Sequence, residues 1–170
     1  MKPSQAFLRD LHAHFHPQGI EIISHFFMVF SRFEEALKAS MAYATPHDGR
    51  VGPDWDAFVN AIQPQFNPTR TPELSRAVTY LLDNPPLVQH RIGNAIVWQP
   101  RTVNPAAPEV HRLKDSIRDL RNNLFHGGKF YGDFDPVQRN ATLLQNGMVV
   151  LDEWLLLNTL VRDLFLRPLG

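Results

Sequence analysis

The stretch PEVHRLKDSIRDLRNNLFHGG, residues 108–128, reads as one long helix. Pro108 suits a first turn, where it has no N–H to lose. Gly127-Gly128 suits a stop, because glycine enters the left-handed region without steric cost. Between them Val110, Leu113, Ile117, Leu120 and Leu124 recur at intervals of three or four residues, which lines them up as one core-facing seam. A chain organised around such a helix belongs to the helical class.

Working outward, residues 20–44 carry Ile23, Phe26, Phe27, Phe30, Phe33, Leu37 and Met41 at helical spacing, and Ile22 and Val29 widen the apolar face beyond one stripe. This predicts a helix buried on two sides, one against the core and one against a second copy of the protein. Downstream, Asp135-Pro136 opens a last helix through Leu144, Met148, Leu151, Leu155 and Leu160, ending near Pro168, with Gly147 as a point of bending. Ten of the 14 prolines lie at positions 46–108, so long helices are excluded there. Within that region Thr71-Pro72-Glu73 caps a short helix to Leu82, ended by Asn84-Pro85-Pro86. Residues Gln89 to Trp98 make a small β-hairpin around Gly93-Asn94. The expected architecture is one all-α domain, residues 1–170, of three long helices with a Pro-rich irregular insert over about 46–107.

Composition narrows the function classes. With 44% hydrophobic and 20% charged residues the chain is an ordinary globular one, which excludes global disorder. It has no cysteine, so disulfides, thiolate zinc sites and cysteine nucleophiles are excluded, and a reducing cytoplasm is the expected location. Residues 1–15 hold no apolar run of signal-peptide length, and the apolar stretch 20–30 is broken by Glu21, Ser24 and His25, so neither export nor a membrane span is expected. Lys plus Arg and Asp plus Glu both total 17; any RNA contact must therefore be local. His12, His14 and His16 have no cluster of carboxylates or cysteines around them and read as surface histidines, so neither a metal nor a cofactor is expected.

The segment where the sequence stops being generic is Arg121-Asn122-Asn123-Leu124-Phe125-His126-Gly127. It resembles the Arg-x4-6-His motif of the HEPN superfamily, in which a polar residue, often asparagine, follows the arginine as Asn122 does here. The match extends to the motif's position late in a long helix and to the helical plan around it, and does not reach residues 45–107. Some members continue as His-x-Tyr, whereas Gly128 stands at that place. The resemblance implies an up-and-down helical bundle acting as a homodimeric endoribonuclease that leaves a 2′,3′-cyclic phosphate. It also implies a bacterial toxin or antiphage effector, acting on tRNA or other structured RNA and partnered by an antitoxin or defence protein. The alternative is a non-catalytic dimerisation module that binds nucleotides or proteins.

The side chains suit that chemistry without a metal. His126 titrates near neutral pH and is able to take a proton from an RNA 2′-hydroxyl or deliver one to the leaving 5′-oxygen. Arg121 offers a two-pronged grip on a phosphate, and Asn122 orients the histidine or the phosphate. Residues five apart on a regular helix point about 140° apart, so Arg121 and His126 meet only through a distorted last turn or a two-fold cleft. Between Val110 and Phe130 five cations (Arg112, Lys114, Arg118, Arg121, Lys129) face two anions (Asp115, Asp119), a net of +3. Lys114, Arg118 and Arg121 fall on one stripe, with Lys129 beyond it, and read either as a phosphate track or as a salt-bridged helix face. Glu34, on the first helix, is a weaker candidate to orient Arg121 or His126.

Overall fold

Phe26, Phe30, Phe33, Ala36 and Leu37 are buried along one face of the helix Pro17–Ala39 (α2), while Phe27 and Met28 on its other side are 42% and 58% exposed. The wide apolar face expected from the sequence is therefore there, and only half of it is covered. These features come from a computed structural model, which describes residues 2–14, 17–125 and 137–168. The chain begins with Pro3–His14 (α1), an element the sequence reading left unassigned.

Helix α2 ends five residues before the expected Ala44. The Ser40 hydroxyl donates to the Leu37 carbonyl at 2.6 Å, and Met41 takes a left-handed φ of 58°, which turns the chain out of the helix. The residues released pair as Ala44–His47 (β1) and Arg50–Pro53 (β2), antiparallel, with His47 opposite Arg50. Both central residues of the turn, Asp48 and Gly49, have positive φ (47° and 74°), the I′ geometry that Asp-Gly favours.

Next come Trp55–Ile62 (α3), whose Asp54 cap accepts from the Ala57 amide at 2.9 Å, and Pro72–Asp83 (α4), capped by Thr71 as expected. The strands Leu87–Ile92 (β3) and Ala95–Pro100 (β4) form the expected hairpin, with Gly93 at φ 59° in its turn. The long helices follow as Glu109–Phe125 (α5) and Val137–Leu157 (α6), and Thr159–Phe165 (α7) closes the order. The architecture is mainly α with two small antiparallel sheets, a second hairpin more than expected. No described helix is long and apolar enough to cross a membrane.

The core lies between α2, α3, α4, α5 and α6. Trp55 stacks on Phe33 with centroids 5.3 Å apart and rings 3° from parallel, and meets Trp154 of α6 edge-on at 6.5 Å. The seam on α5 is buried as expected at Val110, Leu113, Ile117 and Leu120. Gly147 does not break α6. A β-carbon there would lie 3.1 Å from the Phe26 ring and 3.2 Å from a Leu120 methyl, so its role is close approach of α2, α5 and α6. The break comes at Asn158, whose Oδ1 caps the Val161 amide at 3.0 Å and whose Nδ2 donates to the Tyr43 hydroxyl at 2.8 Å. Arg32 donates to the Phe165 and Arg167 carbonyls at 2.9 and 2.6 Å and so caps the end of α7.

Candidate functional site

Arg121 and Asn122 sit in the last turns of α5, the arginine half-buried and the asparagine exposed. Arg121 Nη1 donates to Asn122 Oδ1 at 3.1 Å, so two of the three motif residues are in contact and the amide helps to aim the guanidinium. His126, Lys129 and the Gly127-Gly128 stop lie outside the described residues.

The basic stripe divides. Lys114 is 7% exposed and ion-paired with Asp56 of α3 and, at 3.3 Å, with Asp115, so the salt-bridged arrangement holds at this position. The Lys114 ammonium, as hydrogen-bond donor and as charge, holds the Asp56 carboxyl below its ordinary range, with His111 and Arg118 adding to the effect against the opposing pull of burial. Arg118 is exposed on the same face. Glu34 is engaged elsewhere: its Oε1 accepts from the Trp55 indole N–H at 3.0 Å, which ties α2 to α3. Of the histidine run, His12 is exposed, and the side chains of His14 and His16 lie outside the described residues. Among the described residues no group of three or more His, Asp or Glu is placed to hold a metal ion.

A second face of α5, which the sequence reading did not single out, is polar and yet covered. Ser116, Asp119 and Asn123 are all buried. Arg101, just after β4, grips Asp119 through Nε at 2.7 Å and Nη2 at 2.5 Å, and the carboxylate raises the guanidinium's pKa through those hydrogen bonds. Asn123 Nδ2 donates to the Leu87 carbonyl at 2.8 Å. These two links hold hairpin β3–β4 alongside α5. Between them opens a groove of about 260 Å³ bordered by Gln89, Trp98, Arg101, Asp119 and Asn122. A smaller hollow of about 90 Å³ lies on the far side of the Arg101–Asp119 pair, bordered by Pro86, Val103, Arg112 and Ser116. There Arg112 Nε is buried and has no acceptor among the described residues.

No protein-family model matches the chain, and no curated protein or solved structure does either.

The site must be read from its own chemistry. The end of α5 presents the Asn122 amide to a groove that also holds an indole, the Gln89 amide and the Arg101–Asp119 ion pair. Such a set favours a flat, polar ligand. The sequence carried a signal for the covered face: Arg112, Ser116, Asp119 and Asn123 fall at i, i+4, i+7 and i+11, a polar stripe parallel to the apolar seam.

Proposed function

We propose that the protein is a metal-independent endoribonuclease of the HEPN kind, working with Arg121, Asn122 and His126. In this reading the RNA 2′-oxygen attacks the adjacent phosphorus while the P–O5′ bond breaks. His126 takes the 2′-hydroxyl proton in one copy, and its protonated counterpart in the second copy gives a proton to the departing 5′-oxygen. No water is consumed, and the products are a 2′,3′-cyclic phosphate and a 5′-hydroxyl. Arg121 steadies the negative charge growing on the non-bridging oxygens. The observation that carries the reading is the Arg121–Asn122 hydrogen bond in the last turns of α5, with His126 five residues after Arg121 in the chain.

A second copy of the chain supports the composite site. An apolar hollow of about 380 Å³, bordered by Ile23, Phe27, Met28 and Leu124, lies one helical turn from Arg121 and offers a surface for self-association. The role that accompanies this chemistry is a cytoplasmic toxin or antiphage effector, cutting tRNA or other structured RNA and restrained by a partner protein. Expressing the wild type beside His126→Ala and Arg121→Ala tests the reading. Growth arrest and RNA fragmentation are expected from the wild type alone, with equal helicity in all three proteins. Cleavage by His126→Ala at the wild-type rate would remove the catalytic assignment.

A further inference from the structure

The groove between hairpin β3–β4 and α5 is bordered by two buried polar side chains. Asp119 and Asn123 are 3% and 7% exposed, yet both reach an opening of about 260 Å³ that Gln89, Trp98, Arg101 and Asn122 also border. The charged residues on that border, Arg101 and Asp119, hold each other. A phosphate or carboxylate therefore gains no net attraction from the groove, and recognition falls to its amides.

Those amides have hydrogen-bonding capacity left over. Asn123 Nδ2 donates to the Leu87 carbonyl, but its Oδ1 accepts from no donor among the described residues. Asn122 Oδ1 accepts from Arg121, while its Nδ2 meets no acceptor among them. The Gln89 side chain is engaged at neither its oxygen nor its nitrogen. Two amino groups and two carbonyl oxygens thus stand around one opening. A ligand gains affinity here only by meeting them as well as water does. A peptide group carries its donor and acceptor on opposite edges, whereas a nucleobase carries them side by side, the arrangement that an amide side chain pairs with. Sites for drug-sized molecules run about 300–1,000 Å³, so the volume here suits a single ring system.

We infer that the groove seats one unpaired nucleobase and selects it by its edge, with Gln89 as the specificity-determining side chain. The base must be unpaired, since pairing would occupy the edge that the amides read. The inference rests on the nuclease reading and deepens it. Asn122 touches Arg121 through its Oδ1 and borders the groove, so a base bonded to its Nδ2 brings the phosphate of the same nucleotide toward the guanidinium that the mechanism uses. The base in the groove then decides where a strand is cut.

Short fluorescein-labelled 2′-O-methyl strands, each of a single base type, lack the attacking hydroxyl and are not cut, so they test the seat apart from the reaction. Anisotropy is read for wild type, for Gln89→Leu, which keeps the bulk of the side chain without its amide, and for Gln89→Ala. Gln89 is exposed, and circular dichroism should find equal helicity in all three. Wild type is expected to hold one of the strands about tenfold or more tighter than the weakest, the usual worth of a two-bond amide contact to a base. Both variants should narrow that spread to about threefold or less. Competition by the 5′-monophosphate of the preferred base separates the two sources of such a base. Little displacement is expected; full displacement at the concentration of the strand itself would give the groove to a free nucleotide and take it out of RNA cleavage. A preference lost in the Gln89 variants, together with unimpaired cleavage by His126→Ala, would leave the seat standing and remove the reaction. Equal binding of all the strands by wild type, binding of none, or an unchanged preference in both Gln89 variants would overturn the seat.

Discussion

The Arg101 guanidinium holds both oxygens of Asp119, at 2.7 and 2.5 Å, and so fastens the end of a β-hairpin to the covered polar face of α5. Asp119 is 3% exposed, whereas the Arg101 side chain is 44% exposed. The value of the pair therefore lies in what its loss leaves behind, a buried carboxylate with no cation.

Arg101→Met should destabilise the protein by about 1–3 kcal/mol, toward the lower end because solvent screens the half-exposed guanidinium. The double variant Arg101→Met/Asp119→Leu should recover most of that loss, since removing both charges leaves nothing unpaired. The midpoint of chemical denaturation reads both. A double variant no better than the single one would show that the hairpin is held by other contacts.

Gly147 predicts a steric effect. The ring of Phe26 and a methyl of Leu120 stand 3.1 and 3.2 Å from where its β-carbon would lie. Gly147→Val should cost about 1–3 kcal/mol through overpacking. Gly147→Ala should cost much less, because the helix-propensity gain of about 1 kcal/mol offsets the crowding. Thermal melting of the two variants checks the order.

What the sequence disclosed follows from which signals are local. The α5 seam was legible because Val110, Leu113, Ile117 and Leu120 all bury on the same face. Thr71-Pro72 and Gly93-Asn94 were legible because a cap and a tight turn are set by their own residues. The β1–β2 hairpin does not emerge from the sequence reading although Asp48-Gly49 is a strong turn signal, since the prolines there were weighed only against long helices; a two-stranded ribbon tolerates proline where its N–H faces no partner. The break at Asn158 was missed because its cap was hidden within an otherwise continuous apolar pattern. In the candidate site Arg121 and Asn122 were found by motif, but Arg101, Trp98 and Gln89 were not. They reach α5 only through a hairpin packed across it, a relationship that no spacing along the chain encodes.

Asp56 predicts a pH dependence. Lys114 lowers its carboxyl pKa in the folded state below the ordinary 3.8. A carboxyl lowered on folding contributes stability that is present above its unfolded pKa and is lost as pH falls through the folded one. The stability difference between wild type and Asp56→Asn should thus be constant near neutral pH and shrink below about pH 4. Urea titrations of both proteins between pH 3 and 7 measure it. A difference that persisted unchanged at pH 3 would mean that the Lys114 contact does not depend on the charge of Asp56.

Cleavage, on the proposed mechanism, should survive excess EDTA, since charge on the phosphate is steadied by Arg121 rather than by a cation such as Mg²⁺. Arg121→Ala should then lower the cleavage rate by about a hundredfold or more, the usual effect of removing a group aimed at transition-state charge. The same mechanism makes the 2′-hydroxyl the nucleophile, so one deoxyribose placed at the cut site should stop the reaction while leaving affinity for the strand close to that of the all-ribose substrate. Mass spectrometry of the products should find a cyclic phosphate on the 5′ fragment and a free hydroxyl on the other. An activity that required Mg²⁺, or that cut the deoxy-substituted strand equally well, would place the nucleophile on water instead. Arg121 and His126 would then have been given the wrong roles, because a water nucleophile needs neither a neighbouring hydroxyl nor a histidine poised to deprotonate it.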